Sequence, residues 1–161
     1  MTDHTLSQDL RGAVIVRDYD HPQRESYARG VMQQAKGPVL IAGDISLARK
    51  LKADGVHVPE WQLLSLPRRI FCPKRWVFTV ACHSLLAMKR AQAHPLVQAV
   101  IVSPVFMTKS HPETVPLGMV RFGLMLRQCN KPVIALGGLK RRDLRQIRAV
   151  GGHGIALRSG G

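Results

Sequence analysis

Aromatic and acidic side chains are scarce in this sequence. Phe, Trp and Tyr make up 5% of the 161 residues, and no aromatic signature of an RNA-binding module is present. Asp and Glu number 10 against 24 Lys and Arg, which gives a formal net charge of +14. An excess of basic residues is typical of proteins that bind nucleic acid or small anionic substrates. The basic residues are spread along apparent helices, which favours solvated helix faces over a nucleic-acid surface.

Cysteines and long apolar runs are also lacking. Cys72, Cys82 and Cys129 are isolated and form no C-x-x-C pair, which excludes a disulfide framework and a zinc motif. No apolar run approaches the roughly 20 residues that span a bilayer. The first residues show no basic region followed by an apolar stretch, so no signal peptide is visible. We therefore expect a cytoplasmic protein with one domain over residues 1–161.

Short β-branched runs alternate with amphipathic segments along the chain. Continuous apolar runs without alternation indicate strands buried on both faces, as in a parallel sheet. The predicted strands are residues 13–16, 39–42, 55–58, 77–81, 99–102, 132–136 and 154–157. The predicted helices are residues 25–34, 85–93, 117–128 and 143–150, the second with Ser84 as its N-cap. This βα alternation predicts an α/β fold with right-handed crossovers.

A (β/α)8 barrel and a doubly wound sheet both agree with this order. The chain is short for a closed barrel, which needs eight strands and usually about 250 residues. No G-x-G-x-x-G follows the first strand, which weighs against a dinucleotide-binding sheet. The loop after residues 99–102 carries Thr108, Lys109, Ser110 and His111, and the next strand ends in Gly137-Gly138. Polar groups and glycines after consecutive strands are typical of a phosphate site on a barrel, so we predict the barrel.

Several segments, taken in order, resemble the thiamine-phosphate synthase family, which includes the thiazole tautomerases. They are Ala53-Asp-Gly-Val-His57, Cys82-His-Ser84, Ser103-Pro-Val-Phe-Met-Thr108 with Pro116-Leu-Gly118, Ala135-Leu-Gly-Gly138 and Gly154-Ile-Ala-Leu-Arg-Ser159. The resemblance implies a (β/α)8 TIM barrel that lacks the first strand and last helix in the sequence as given. It also implies a transferase that joins an aminopyrimidine diphosphate to a thiazole phosphate and releases pyrophosphate.

The resemblance assigns roles to individual residues. Arg17 would contact the leaving diphosphate, or form a salt bridge with Asp18 or Asp44. Asp44 would be a Mg²⁺ ligand, or the cap of a helix that begins near Ser46. The residues that would hold the thiazole phosphate are Thr108, Lys109, Ser110, His111, Gly137, Gly138 and Ser159.

The pyrimidine side departs from the family pattern. A second magnesium aspartate falls on Gln62, an asparagine on Gly43 and a lysine on Tyr19. The family's glutamine and serine fall on Ile15 and Ala81. Loss of one carboxylate weakens a Mg²⁺ site, for which Glu60 is a candidate substitute ligand. Arg68 and Arg69 are candidate substitute charges at the diphosphate.

Two alternatives to a divergent synthase stay open. The first is a non-catalytic or tautomerase-like protein that binds thiazole phosphate, and the second is a basic nucleic-acid-associated protein. For the tautomerase branch, which uses a histidine to move protons, His83 is one candidate, although it also suits a role in orienting the following helix. If the chain is complete, strands near Val14 and Ile155 would have unpaired edges. A homodimer or an open seven-stranded barrel would then be expected.

Overall fold

The computed structural model describes residues 3–6, 13–108 and 113–158. Within them, eight strands close into a barrel in chain order. The strands are β1 (Asp3–Leu6), β2 (Ala13–Val16), β3 (Val39–Ala42), β4 (Gly55–Val58), β5 (Val77–Cys82), β6 (Val97–Val102), β7 (Val133–Ala135) and β8 (Gly154–Arg158). The strands β2 to β8 run parallel to one another, and β1 runs antiparallel to both of its neighbours. The predicted α/β barrel is confirmed.

Five α-helices and two 3-10 turns connect the strands of the described chain. The helices are α1 (Arg24–Gln34), α2 (Ile45–Leu51), α3 (Leu85–Ala93), α4 (Gly118–Leu126) and α5 (Leu144–Ala149). The 3-10 turns cover Glu60–Ser65 and Arg141–Asp143. The predicted cap of α3 is confirmed, because the Ser84 hydroxyl accepts a hydrogen bond from the Ala87 N–H at 3.1 Å.

The expected open edge is wrong. Asp3–Leu6 pairs with β2 on one side, where Leu6 faces Ala13, and with β8 on the other, where His4 faces Arg158. Six residues separate Leu6 from Ala13, too few for the crossover of a dozen or more that a parallel pair requires. A short link allows only the antiparallel direction. The place of a parallel first strand is therefore filled by β1.

The parallel strands bury both of their faces, which explains their unbroken apolar sequence. In β3, Leu40 and Ala42 belong to the inner cluster of the barrel, whereas Val39 and Ile41 pack outward against the helices. The inner cluster consists of Ala13, Ile15, Leu40, Ala42, Ala99, Ile101, Ile134 and Ala156. Because the seven parallel strands end at one edge, the residues that follow them are brought together there. We call this edge the carboxyl face.

Candidate functional site

Two neighbouring loops of the carboxyl face lie directly against each other. The segment after β6 is held to the residues after β7 by the N–H groups of Val105 and Phe106, which donate to the carbonyl oxygens of Leu136 and Gly137 at 2.9 and 3.0 Å. The structure thus brings the predicted Gly137-Gly138 turn to the segment that ends in Thr108. We call residues 103–108 together with Gly137 and Gly138 the glycine half of the site.

Both glycines of this turn are required by backbone geometry. Their φ angles of +95° for Gly137 and +67° for Gly138 lie in the left-handed region that favours glycine. A Cβ on Gly137 would stand 2.8 Å from Pro104 Cα, and one on Gly138 would overlap the carbonyl oxygen of Met107. The close approach of the two loops therefore depends on glycine at both positions, whether or not a phosphate binds there.

The structure places part of the predicted phosphate set. Thr108 is half-buried at the end of the glycine half, and Gly138 is exposed beside it. Lys109, Ser110, His111 and Ser159 lie outside the described residues. The role of all these residues in holding a phosphate stays a prediction.

His83 connects the loop after β5 to the end of β6. Its Nδ1 atom lies 3.0 Å from the carbonyl oxygen of Ser103 and 3.2 Å from the Ser103 hydroxyl. Because a carbonyl oxygen only accepts hydrogen bonds, His83 donates through Nδ1. The Glu60 carboxylate accepts the backbone N–H of His83 at 2.6 Å. These contacts fix the loop that leads into Ser84 and α3.

The other side of the carboxyl face is built around Asp44 and a basic residue of α1. Asp44 is the N-cap of α2, and its Oδ1 atom accepts the N–H of Leu47 at 2.8 Å. Its Oδ2 atom lies 3.7 Å from Nη1 of Arg24. The cap that was one of the two alternatives for Asp44 is therefore present, and the second carboxylate oxygen faces a guanidinium.

Arg24 is the residue that the sequence analysis missed. It is the first residue of α1, and its Nη2 atom donates to the carbonyl oxygen of Ala42 at the end of β3. Its Cζ atom lies 5.5 Å from the centre of the Tyr19 ring, within cation–π range. No spacing marks this arginine in the sequence, because the contact depends on where α1 packs against β3.

Three residues at which the resemblance implies a departure meet around Gly43, near Arg24. The Gln62 amide donates through Nε2 to the carbonyl oxygen of Gly43 at 3.1 Å. A Cβ on Gly43, where φ is +68°, would stand 3.0 Å from Cε1 of Tyr19 and 3.3 Å from Oε1 of Gln62. Tyr19, Gly43 and Gln62 therefore form one packed unit. We call this unit, together with Arg17, Arg24 and Asp44, the arginine half of the site.

Arg17 directly follows β2, as predicted, and is half-buried. Of its two proposed salt-bridge partners, Asp44 forms an ion pair with Arg24. Arg68 and Arg69, the other candidate charges, are exposed in the loop after the Glu60–Ser65 turn. Arg24 is thus the basic side chain that the structure places against Asp44.

The residues of the arginine half do not fit a magnesium ion. Mg²⁺ requires oxygen ligands in near-octahedral geometry and is usually bound by one or two carboxylates. One oxygen of Asp44 caps α2 and the other faces Arg24, and Glu60 is bonded to the backbone of His83. Across the described residues, no group of three His, Cys, Asp or Glu side chains is placed to hold a metal.

A pocket of about 190 Å³ opens next to the packed unit. It lies between the barrel wall and the segments after β3 and β4, because Val56 and Val58 of the outer layer line it. Its lining residues are Gly43, Ile45, Val56, Val58, Gln62, Ser65, Leu66 and Pro67. The pocket shares Gly43 and Gln62 with the arginine half and none of the glycine half.

The buried thiol of Cys82 is unsuited to nucleophilic chemistry. Burial raises the pKa of the Cys82 thiol to about 12, so the thiol stays protonated at neutral pH. Inside the barrel, Nδ1 of His57 and Oγ1 of Thr79 lie 2.9 Å apart on adjacent strands.

No helix in the described ranges is long and apolar enough to cross a membrane.

Known proteins are similar to this chain over most of its length. Residues 5–160 match the thiamine monophosphate synthase family. A protein of Aquifex aeolicus with the provisional name thiamine-phosphate synthase 2 is 31% identical over 149 residues, which cover 89% of this chain and 78% of that protein. The thiamine-phosphate synthase of Pasteurella multocida is 27% identical over 131 residues, 80% of this chain and 59% of that protein.

A solved structure shows the same fold. The thiamine phosphate pyrophosphorylase from Pyrococcus furiosus superimposes with a TM-score of 0.67 at 19% identity, over 89% of this chain and 71% of that chain. This likeness concerns the barrel, whereas the family match rests on the sequence over nearly the whole length. The chain therefore belongs to the thiamine monophosphate synthase family.

Proposed function

We propose that this protein makes thiamine phosphate by joining an aminopyrimidine diphosphate to a thiazole phosphate. The observation that carries the proposal is the glycine half, in which the loop after β6 and the turn after β7 meet at the carboxyl face of a barrel that belongs to this family. Barrel enzymes frequently hold a substrate phosphate at late βα loops. The family match and the curated relatives support synthesis over the two alternatives.

The reaction transfers a pyrimidinylmethyl group from a diphosphate to the nitrogen of a thiazole. The C–O bond between the pyrimidine methylene carbon and the diphosphate breaks, and its electron pair leaves with the diphosphate. The thiazole nitrogen then forms the new C–N bond with its lone pair, and pyrophosphate is released. The protein therefore binds two phosphorylated groups and stabilises the negative charge that grows on the leaving diphosphate.

The two halves of the site suit these two tasks. In the glycine half, Thr108 offers a hydroxyl, and the missing side chains at Gly137 and Gly138 allow close backbone approach. Lys109, Ser110, His111 and Ser159 belong to this proposal as further phosphate contacts. In the arginine half, Arg17 is proposed to contact the diphosphate, since a guanidinium matches phosphate oxygens in a two-point geometry.

Two properties of the whole protein also belong to the proposal: a cytoplasmic location and a homodimer. The closed barrel removes unpaired edges as a reason for dimerisation. The exposed side chains of Val120 and Leu124, four residues apart on α4, support a dimer instead. Sedimentation equilibrium measures the mass independently of shape, and a monomer at micromolar concentration contradicts this part.

The proposed activity is tested with the two phosphorylated precursors. We expect thiamine phosphate and pyrophosphate to form together, measured by mass spectrometry and a coupled pyrophosphate assay. Thr108→Val should raise the KM for thiazole phosphate about tenfold, the effect of losing one hydrogen bond to a charged group. Thr114→Val, an exposed threonine in the same connection, is the matched control and should leave KM unchanged.

Each outcome of this experiment decides between the functions. Thiazole phosphate binding without product supports the non-catalytic alternative and contradicts synthesis. Isomerisation of the thiazole without coupling supports a tautomerase. Binding of oligonucleotides with a steep salt dependence, and of neither precursor, supports the nucleic-acid alternative.

A further inference from the structure

Arg24 occupies the environment in which the family pattern leads us to expect a divalent cation. It faces the carboxylate that would be a magnesium ligand, with Nη1 at 3.7 Å from Oδ2 of Asp44. Its guanidinium also lies at the end of β3, since Nη2 donates to Ala42 O. The positive charge at this place on the carboxyl face is therefore supplied by a side chain of the protein.

The surroundings of Arg24 hold it in this place. The Tyr19 ring lies 5.5 Å from its Cζ atom, and Gly43 leaves room for that ring, because a Cβ there would stand 3.0 Å from Tyr19 Cε1. Gln62 closes the unit with its hydrogen bond to Gly43 O. Each of the three replaces a polar or charged residue of the pattern that the resemblance implies, and one of them, Tyr19, lies against the arginine.

A metal and Arg24 would compete for the same carboxylate. Oδ1 of Asp44 already accepts the Leu47 N–H, which leaves Oδ2, the atom that faces Arg24, as the less occupied oxygen for a cation. A divalent ion placed there would be repelled by the guanidinium a few ångströms away. Moving Arg24 aside would break its hydrogen bond to Ala42, at a site where its side chain is only 17% exposed.

Arg24 still has N–H groups to offer to an anion. Guanidinium carries five donors, and its one hydrogen bond within the described residues uses Nη2. The 3.7 Å separation from Asp44 is too long for a hydrogen bond, so the Nη1 donors are available. The planar guanidinium group presents pairs of N–H donors that match two oxygens of a phosphate group.

We propose that this chain binds the diphosphate group of its substrate without a divalent metal, with the guanidinium of Arg24 as the cation that contacts it. The inference rests on the proposed function for the identity of the ligand. It makes Asp44 a partner of Arg24 and the cap of α2 rather than a metal ligand.

Pyrophosphate is the probe, measured by isothermal titration calorimetry at constant ionic strength. We expect it to bind the wild-type chain in the presence of EDTA, and Mg²⁺ titrated alone to give no binding. Arg24→Ala should weaken pyrophosphate binding in EDTA by about tenfold or more, as for a lost charge-assisted contact. The matched control is Arg29→Ala, which removes an equal charge from the same helix at an exposed ion pair with Glu25, and it should change affinity less than about twofold.

Asp44→Asn gives a second test whose sign separates the two interpretations. Asparagine still caps a helix, so α2 is kept. If Asp44 neutralises Arg24, removing its charge should strengthen pyrophosphate binding in EDTA by about threefold, the scale of a partly exposed charge pair. If Asp44 is a metal ligand, the substitution should weaken binding that depends on Mg²⁺.

Pyrophosphate binding that requires Mg²⁺ and is lost in Asp44→Asn would overturn the inference. Arg24→Ala with wild-type affinity would overturn it as well. Circular dichroism monitors folding, and if Arg24→Ala does not fold, the sign of the Asp44→Asn effect decides alone. Thiamine phosphate formation that needs Mg²⁺ would leave the proposed function standing while contradicting the metal-free site, so the two failures are distinguishable.

Discussion

The glycine half and the arginine half of the carboxyl face follow the family pattern to different extents. For the glycine half, the resemblance implies that Gly137, Gly138 and Thr108 match the family, and the structure joins the two loops through backbone hydrogen bonds. For the arginine half, the resemblance implies departures at Tyr19, Gly43 and Gln62, and the structure places Gly43 between the other two. The three residues at which departures are implied therefore lie in one packed unit and are not scattered over the site.

The difference follows from what each half uses to keep its shape. The glycine half depends on backbone approach, where any side chain at Gly138 overlaps the neighbouring loop. Such a constraint leaves little room for substitution. The arginine half depends on side chains, and a set of side chains can be exchanged together for another set that packs. A change at one position of that half, however, is expected to depend on the others.

Gly138→Ala tests the rigidity of the glycine half and should have the largest effect. The new Cβ would stand 2.8 Å from Phe106 C, besides overlapping Met107 O, at a residue with φ of +67°. We expect the free energy of unfolding to fall by about 3 kcal/mol or more, from left-handed backbone strain plus the displaced loop. Urea denaturation measures this, and thiazole phosphate binding should be lost in parallel.

Gly118→Ala is the matched control for that prediction. Gly118 has the same left-handed conformation, with φ of +68°, but nothing lies within 4 Å of the position of its Cβ. It should lose only about 1 kcal/mol, the cost of the backbone conformation. Equal losses in the two variants would show that the contact between the loops adds nothing to stability.

Much of the fold could be predicted because it depends on local patterns. The bounds of β2, β3 and β4 agree with the predicted runs, since strands buried on both faces are continuously apolar. The Ser84 cap was predictable from a hydroxyl residue before an apolar helix. The presence of β1 was not, because this strand depends on pairing with both Ala13–Val16 and the distant Gly154–Arg158.

The candidate site was predictable only where its residues come within a few positions of the end of a strand. Arg17 and Gly138 are placed by the ends of β2 and β7, so their position follows from the strand pattern. Arg24 lies 18 residues from its partner Ala42 and reaches it through a long side chain on a helix. Only the packing of α1 against the barrel brings the two together, and no local pattern encodes that distance.

Gly43→Asn tests the coupling within the arginine half and should have an intermediate effect. Asparagine tolerates a φ of +68°, so its main cost is the contact of its Cβ with the Tyr19 ring, 3.0 Å away. We expect a loss of about 1–2 kcal/mol in the free energy of unfolding. In a Tyr19→Ala background, where the ring is absent, the same substitution should cost less than about 0.5 kcal/mol. Additive losses across this double-mutant cycle would mean that Tyr19 and Gly43 changed independently.

Asp44→Ala should have the smallest effect on stability, and it separates the structural from the binding role of this carboxylate. Alanine removes the hydrogen bond from the Leu47 N–H and should cost about 1 kcal/mol, whereas Asp44→Asn, which keeps a cap, should cost less than about 0.5 kcal/mol. Ser84→Ala provides the comparison, because it removes the cap of α3, Ser84 Oγ with the Ala87 N–H, outside both halves of the site. If Asp44→Ala abolishes thiamine phosphate formation while Asp44→Asn retains it, the cap of α2 accounts for the loss and the carboxylate charge is not needed. If both variants are inactive and equally folded, the carboxylate itself acts on the substrate, and the arginine half is closer to the family pattern than its contacts suggest.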